Sequence, residues 1–296
     1  MYRTGTFIFF IICSIGCAET RNSAATFSPL ITHQHIVPKN DNADSLTASY
    51  QIKYRSDGLE ITGYLTRPHK EGVYPVIIYN RGGNRDYGTL TTRDLKYHQY
   101  LAPFGYVVLS SQLRGNAYSE GVDEFGGEDL NDILRLIEIN KTLDFTNDYI
   151  GVYGISRGGL NAYQISRLSD EIKAIAVVGA PVDPRLDFYT RPEMYQNVFK
   201  EIVGDTIEHR AAYDYRSPIK WVDEINEPVL ILHGTNDHRV KPLHADLMIQ
   251  KLKSLNKEFK YKFVEHADHG LNSHKSLRDR EILEWFDKYL KVSGDQ

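Results

Sequence analysis

The chain has 296 residues, 41% of them hydrophobic and 25% charged, with a net charge of -4. That is the make-up of a globular protein, and the length suits one large α/β domain of roughly 250 residues. The basic residues are dispersed, which excludes a nucleic-acid footprint, and both cysteines (Cys13 and Cys17) fall in the first segment, which excludes a disulfide framework, a thiolate metal site or a cysteine nucleophile in the body.

Arg3 opens a short positive region, and Phe7 to Ile15 is an apolar stretch too short to span a bilayer as a mature helix. Ser14-Ile15-Gly16-Cys17 then sets small residues before a cysteine. This resembles a bacterial lipobox, with Ser14 where leucine is usual. The resemblance implies a signal peptide over 1–17, Cys17 as the lipidated residue, and a body exported to the cell envelope or periplasm and held to a membrane by that lipid alone. A plain signal peptide cut near Ala18, or a single anchor, is the alternative. Residues 18–45 are rich in Ser, Thr, Asn and Asp without helical or strand periodicity, and read as a flexible tether outside the fold. The catalytic body is then 46–292.

Tyr50–Tyr54 and Leu59–Leu65 flank Ser56-Asp57-Gly58 and predict a hairpin. Short apolar runs follow at Val76–Tyr79, Tyr106–Leu109, Ile150–Tyr153, Ala174–Val178, Val229–Leu232 and Phe259–Val264, as expected of buried parallel strands. Helical spacing connects them: Leu130, Ile133, Leu134 and Ile137; Leu160, Tyr163, Gln164 and Leu168; Leu243, Leu247, Met248, Leu252 and Leu255; Ile282, Trp285, Phe286 and Leu290. Strands alternating with helices predict a mostly parallel sheet with helices on both faces and an antiparallel hairpin at one edge. Residues 181–221 break the alternation with Pro181, Pro184, Pro192 and Pro218, and predict a small helical cap over the strand ends.

Gly154-Ile155-Ser156-Arg157-Gly158 lies directly between a strand pattern and a helix pattern, the context of a nucleophile elbow and of the α/β-hydrolase fold. The turn forces a strained backbone on Ser156 and requires small residues two places to either side. The Arg157 N–H at the helix start then faces the space where an oxyanion forms. Serine needs a base oriented by an acid, and in this fold their order is Ser, Asp or Glu, His. Asp237 follows the run Val229–Leu232 and is the expected acid. His269, in the loop after Phe259–Val264, is the expected base, with His266 as the second choice. Asn80-Arg81-Gly82-Gly83-Asn84 follows an early strand and offers the second oxyanion donor, Arg81 or Gly82. His266, Asp268 and His269 match part of a dinuclear H-x-H-x-D-H signature, but Val264 stands where its first histidine belongs, so no metal is expected.

These segments together resemble the catalytic domain of the prolyl oligopeptidase family over about Tyr50 to Leu290. The glycine loop at 80–84, Leu113-Arg114-Gly115 with Tyr118 and Gly121, the acidic helix start at Glu128 to Asp132, the elbow with Gly159, Ser217-Pro218, and Pro228 to Asp237 followed by His269-Gly270 carry it. The resemblance implies a serine peptidase without cofactor, acting on small peptides. Two departures stand out. Arg157 replaces an aromatic residue common after the nucleophile, and Arg81 replaces a histidine or tyrosine. If both guanidinium groups face the site, they favour an anionic substrate group. No blade-like repeats precede the domain, so peptidase specificity does not follow from the resemblance alone. Hydrolysis of small acyl esters, acylated sugars included, is the alternative activity, and a tethered binding protein that has lost catalysis is a third reading.

Overall fold

The computed structural model describes residues 27–38, 46–91 and 95–291. The expected signal peptide and Cys17 lie outside the described residues, as does much of the expected tether.

Nine strands form one sheet: β1 (Ile31–Ile36), β2 (Thr47–Ser56), β3 (Leu59–Pro68), β4 (Tyr74–Asn80), β5 (Val107–Ser111), β6 (Thr146–Ile155), β7 (Ile172–Val178), β8 (Val229–Gly234) and β9 (Phe259–Val264). Their order is β1-β2-β3-β5-β4-β6-β7-β8-β9. The β2–β3 hairpin is antiparallel, and so are the pairings β1–β2 and β3–β5, while β5-β4-β6-β7-β8-β9 is parallel throughout.

One expectation is corrected here. Ile31–Ile36 belongs to the sheet and not to a tether: it pairs with β2 from Ile31↔Tyr54 to Ile36↔Tyr50. Of its six residues only Ile31 is buried. An edge strand held by its backbone ladder leaves no apolar alternation to read.

The helices are α1 (Leu95–Leu101), α2 (Leu130–Asn140), α3 (Arg157–Leu168), α4 (Pro192–Met194), α5 (Lys200–Ile202), α6 (Arg210–Tyr215), α7 (Leu243–Ser254) and α8 (Lys275–Leu290). The strand period of two sorts the core. Val76, Ile78, Val152, Val177 and Ile231 face α2, α3 and α7, whereas Ile77, Tyr153, Ala176 and Leu232 face α1 and α8. Helix α7 is turned from its expected face: His244, Ala245, Met248 and Leu252 are buried and Leu243 is exposed.

The sheet order reverses at β4. Its neighbours β5 and β6 are reached by connections that leave in opposite directions, and such a switch opens a crevice at the carboxyl ends of the strands. Asn80 pairs with Gly154, so the loop after β4 and the elbow after β6 leave the sheet side by side. Between β7 and β8, residues 184–224 form short helices and turns, with a π-helical turn (Tyr195–Phe199) joining α4 to α5. Their apolar side chains Val198, Phe199, Val203 and Tyr213 pack on Phe125 and Leu160.

Candidate active site

Ser156 sits between β6 and α3 with φ 58° and ψ −125°. This is a left-handed φ that a non-glycine residue adopts at a cost of about 1–3 kcal/mol. Its neighbours explain how the turn closes. A Cβ on Gly154 would lie 2.0 Å from the Gly158 carbonyl oxygen, and one on Gly158 would lie 2.0 Å from the Asn80 carbonyl oxygen. The Ser156 N–H is held by the Val178 carbonyl at 2.9 Å, and its own carbonyl accepts the N–H groups of Gly159 and Leu160. The first N–H groups of α3, beginning with Arg157, are the ones a helix leaves without internal partners.

Asp237 and His269 meet across the turns that follow β8 and β9. His269 Nδ1 donates to Asp237 Oδ2 at 2.7 Å, because a carboxylate only accepts; Nε2 is therefore the nitrogen left to take a proton. The other Asp237 oxygen accepts the N–H groups of Arg239 (2.8 Å) and Val240 (2.9 Å). His233 Nε2, which donates to the Val240 carbonyl at 2.9 Å, lies 3.3 Å from Asp237 Oδ2. Burial pushes the Asp237 carboxyl up, but hydrogen bonds from His233 and His269, the charge of His269 and the Val240 N–H outweigh it and hold the group well below the usual carboxylate range. His266, the second choice for the base, is 84% exposed and lies beside Glu265.

Ser156 and His269 line one cavity of about 700 Å³, together with Gly82, Gly83, Asn84, Tyr87, Gly88, Phe125, Ile155, Arg157, Arg191, Met194, Asn236, His238, Arg239, Asp268, Gly270 and Asn272. The glycine loop lies close over the elbow: a Cβ on Gly82 would stand 3.3 Å from Ser156 Cβ.

The two guanidinium groups that would favour an anionic substrate if they faced the site are instead buried and paired. Arg157 is 1% exposed. Its Nη1 donates to Asp123 Oδ2 at 2.8 Å and to the Gly83 carbonyl at 3.3 Å, and its Nη2 donates to Asp123 Oδ1 (2.7 Å) and to Asp129. Burial works against its charge, but Asp129 and Asp123 raise its pKa and keep it ionised. Asp123 is held at about 2, since Arg157 and the N–H groups of Arg85 and Phe125 outweigh its burial. Arg81 is also 1% exposed and lies outside the cavity lining. It donates to the carbonyls of Gln112, Gly82, Tyr87 and Arg85 at 2.9–3.2 Å. Burial and the nearby Arg157 lower it to about 10. Both arginines brace the glycine loop from behind, and removing either would leave buried carbonyls or carboxylates without partners. Arg114, in the turn after β5, likewise pairs with Asp132 and Asp57 and ties that turn to α2.

Sequence reasoning missed Gly179. It follows β7 with φ 54°, and a Cβ there would lie 3.0 Å from His269 Nδ1 and 3.1 Å from Asp237 Oδ2. Its place at the carboxyl end of a buried run was the available signal. Asp123 gave none, standing apart from the elbow by 34 residues. Arg191 and Met194 enter the cavity from α4 and the turn before it.

A doubly wound sheet with a serine on a strained strand-to-helix turn, beside an aspartate–histidine pair, defines a serine-type hydrolase of the α/β-hydrolase fold. Residues 93–293 match the prolyl oligopeptidase family of peptidases. The chain belongs to that family. It is 29% identical over 242 residues to the uncharacterized peptidase YtmA of Bacillus subtilis, covering 80% of this chain and 92% of that protein. It is 26% identical over 241 residues to dipeptidyl aminopeptidase BIII of Pseudoxanthomonas mexicana, covering 72% of this chain and 34% of that protein. Among solved structures, the acylaminoacyl peptidase of Pyrococcus horikoshii superposes with a TM-score of 0.72 at 26% identity, over 86% of this chain and 43% of that one. The chain thus spans nearly all of YtmA and less than half of the other two.

Proposed function

We propose that this protein is a peptidase that cleaves amide bonds of small peptide substrates through an acyl-enzyme on Ser156. The reading rests on one observation above others: the 2.7 Å bond from His269 Nδ1 to a buried Asp237, which leaves Nε2 as the acceptor of a histidine that lines the same cavity as Ser156. Nε2 takes the Ser156 proton as Oγ attacks the carbonyl carbon. The Arg157 N–H and the Gly82–Gly83 backbone stabilise the oxyanion, and the ionised Asp237 stabilises the imidazolium. The imidazolium then protonates the leaving amine, and a water molecule activated by the same nitrogen releases the acyl group. That its relatives are named as peptidases supports the amide reading over the ester one.

The test compares a peptidyl anilide with its matched ester and a simple acetyl ester, using wild-type protein and Ser156→Ala. Anilide cleavage that falls about 10⁵–10⁶-fold in Ser156→Ala is the expected result. Ester cleavage with no anilide cleavage replaces the reading with an esterase, to be tried next on acylated sugars.

We also propose that the protein is exported and lipid-anchored at Cys17, on the strength of Arg3, the apolar stretch and the Ser14-Ile15-Gly16-Cys17 pattern. Incorporation of labelled palmitate in the bacterial host, abolished by Cys17→Ala, is expected. Incorporation that persists in Cys17→Ala, or none in the wild type, refutes it.

A further inference from the structure

We infer that the cavity selects substrates carrying a carboxylate, and that Arg239 receives it with help from Arg191. This rests on the hydrolase reading of the same cavity. The cations first expected to do this are unavailable, Arg157 being matched by Asp123 and Asp129. Arg239 is differently placed. It stands two residues beyond Asp237, and its N–H is fixed by that carboxylate. Its Nη1 donates to Tyr87 Oη at 2.8 Å, across the cavity from the Asp237 loop to the glycine loop, with the guanidinium carbon 5.8 Å from the Tyr87 ring centre. Its carbonyl accepts Arg191 Nη1 at 2.8 Å, which draws a second guanidinium to the same wall.

The charge around these groups is unbalanced. Among the described residues no carboxylate comes within ion-pair distance of Arg239. Arg191 has only a loose pairing, 3.6 Å to Glu193, which is 62% exposed and so contributes little. The one carboxylate in the cavity lining, Asp268, already accepts the Asn272 N–H at 2.7 Å and its Nδ2 at 3.1 Å. Arg239 therefore keeps several N–H donors in a fixed fork, held by an aromatic hydroxyl that cannot neutralise it. A planar carboxylate matches that fork, and the bond is charge-assisted. The chemistry has two sources in a peptide: an acidic side chain, or the free carboxylate at the chain end.

The experiment measures kcat/KM for two matched pairs at low ionic strength. One pair has a glutamyl or an isosteric glutaminyl acyl residue. The other has a leaving group ending in a free carboxylate or in its amide. A neutral fluorophosphonate reports on Ser156 independently. The expected result is a preference of roughly tenfold to hundredfold for the anionic member of one pair. That preference should weaken with added salt. Arg239→Gln should collapse the ratio, mainly through KM for the anionic member, with a smaller fall in Arg191→Gln. Arg239→Glu should turn the ratio toward a lysyl substrate, a gain that mere damage to the cavity does not produce. The pair that responds identifies the source. Wild-type protein that labels with the fluorophosphonate yet treats both pairs alike overturns the inference and leaves the hydrolase reading standing. An anionic preference untouched in both Arg239 variants also overturns it. Absence of labelling overturns both.

Discussion

Among the described residues two buried aspartates each pair with a histidine, and the pairs differ in whether a ring nitrogen is left over. Asp237 and His269 are 2.7 Å apart, Asp187 and His244 are 3.0 Å apart, and on distance alone the two are alike. His244 is fully buried and both its nitrogens are used: Nδ1 accepts the Val182 N–H at 3.0 Å and Nε2 donates to Asp187. It joins α7 to the segment that follows β7. His269 is 16% exposed, spends only Nδ1 on its aspartate, and lines the cavity that holds Ser156. The acids differ as well. Asp237 takes N–H donors on its second oxygen, whereas Asp187 Oδ1 is buried without a partner. On the proposed reading, the Asp237 pair acts as a base because one histidine nitrogen remains for a substrate proton, whereas the Asp187 pair, with both nitrogens used, is a strut.

The largest expected break in this symmetry comes from removing each acid's charge. Asp237→Asn should lower kcat by about 10³–10⁴, because an amide presents the imidazole with the wrong tautomer and no charge. Asp187→Asn keeps an acceptor for His244 and should leave kcat within a factor of about three. Steady-state hydrolysis of one anilide or ester by the two variants makes the comparison, and equal losses would defeat the distinction.

A second prediction uses pH. The folded state holds the Asp237 carboxyl below its usual value, since donors outweigh its burial. The unfolded state therefore binds its proton first as pH falls. The stability this provides is complete above the unfolded carboxylate value of about 4 and is lost as pH drops through the depressed folded value. Urea unfolding at pH 6, 4 and 3 should show the gap between wild type and Asp237→Asn narrowing toward the lowest pH. A gap that widens would mean that the sign is wrong.

The sequence made the Asp237 pair legible and hid the Asp187 pair, for a physical reason. Ser156, Asp237 and His269 each follow a short apolar run, so a strand pattern and a turn fix their common edge. Gly154 and Gly158 announce the elbow because no larger residue fits. Asp187 and His244 lie in an irregular segment and on a helix whose buried face runs through His244 and Ala245, so no periodicity marks them. The same limit explains the arginines. Arg81 and Arg157 flank glycines at the site, and their direction is not readable because their partners Asp123, Asp129 and the loop carbonyls depend on how distant turns meet. Arg191 and Arg239 carry no motif. Strand β1 escaped notice because its single buried residue leaves no alternation.

The smallest effect on chemistry, and a clear one on stability, is expected from His244. His244→Leu removes an acceptor from the Val182 N–H and a donor from Asp187, leaving two polar groups buried without partners, at a cost of about 2–4 kcal/mol. For a domain of this size that corresponds to a fall in Tm of roughly 5–15 °C. His244→Gln retains one amide oxygen and one amide N–H, and should recover about half of the loss if both ends can be reached. The folded fraction of either variant, counted by fluorophosphonate labelling of Ser156, should turn over substrate within about threefold of wild type, because His244 touches neither the cavity nor Asp237. A His244→Leu protein that folds normally but loses the activity seen in wild type would place this second pair in the reaction and dissolve the distinction between base and strut.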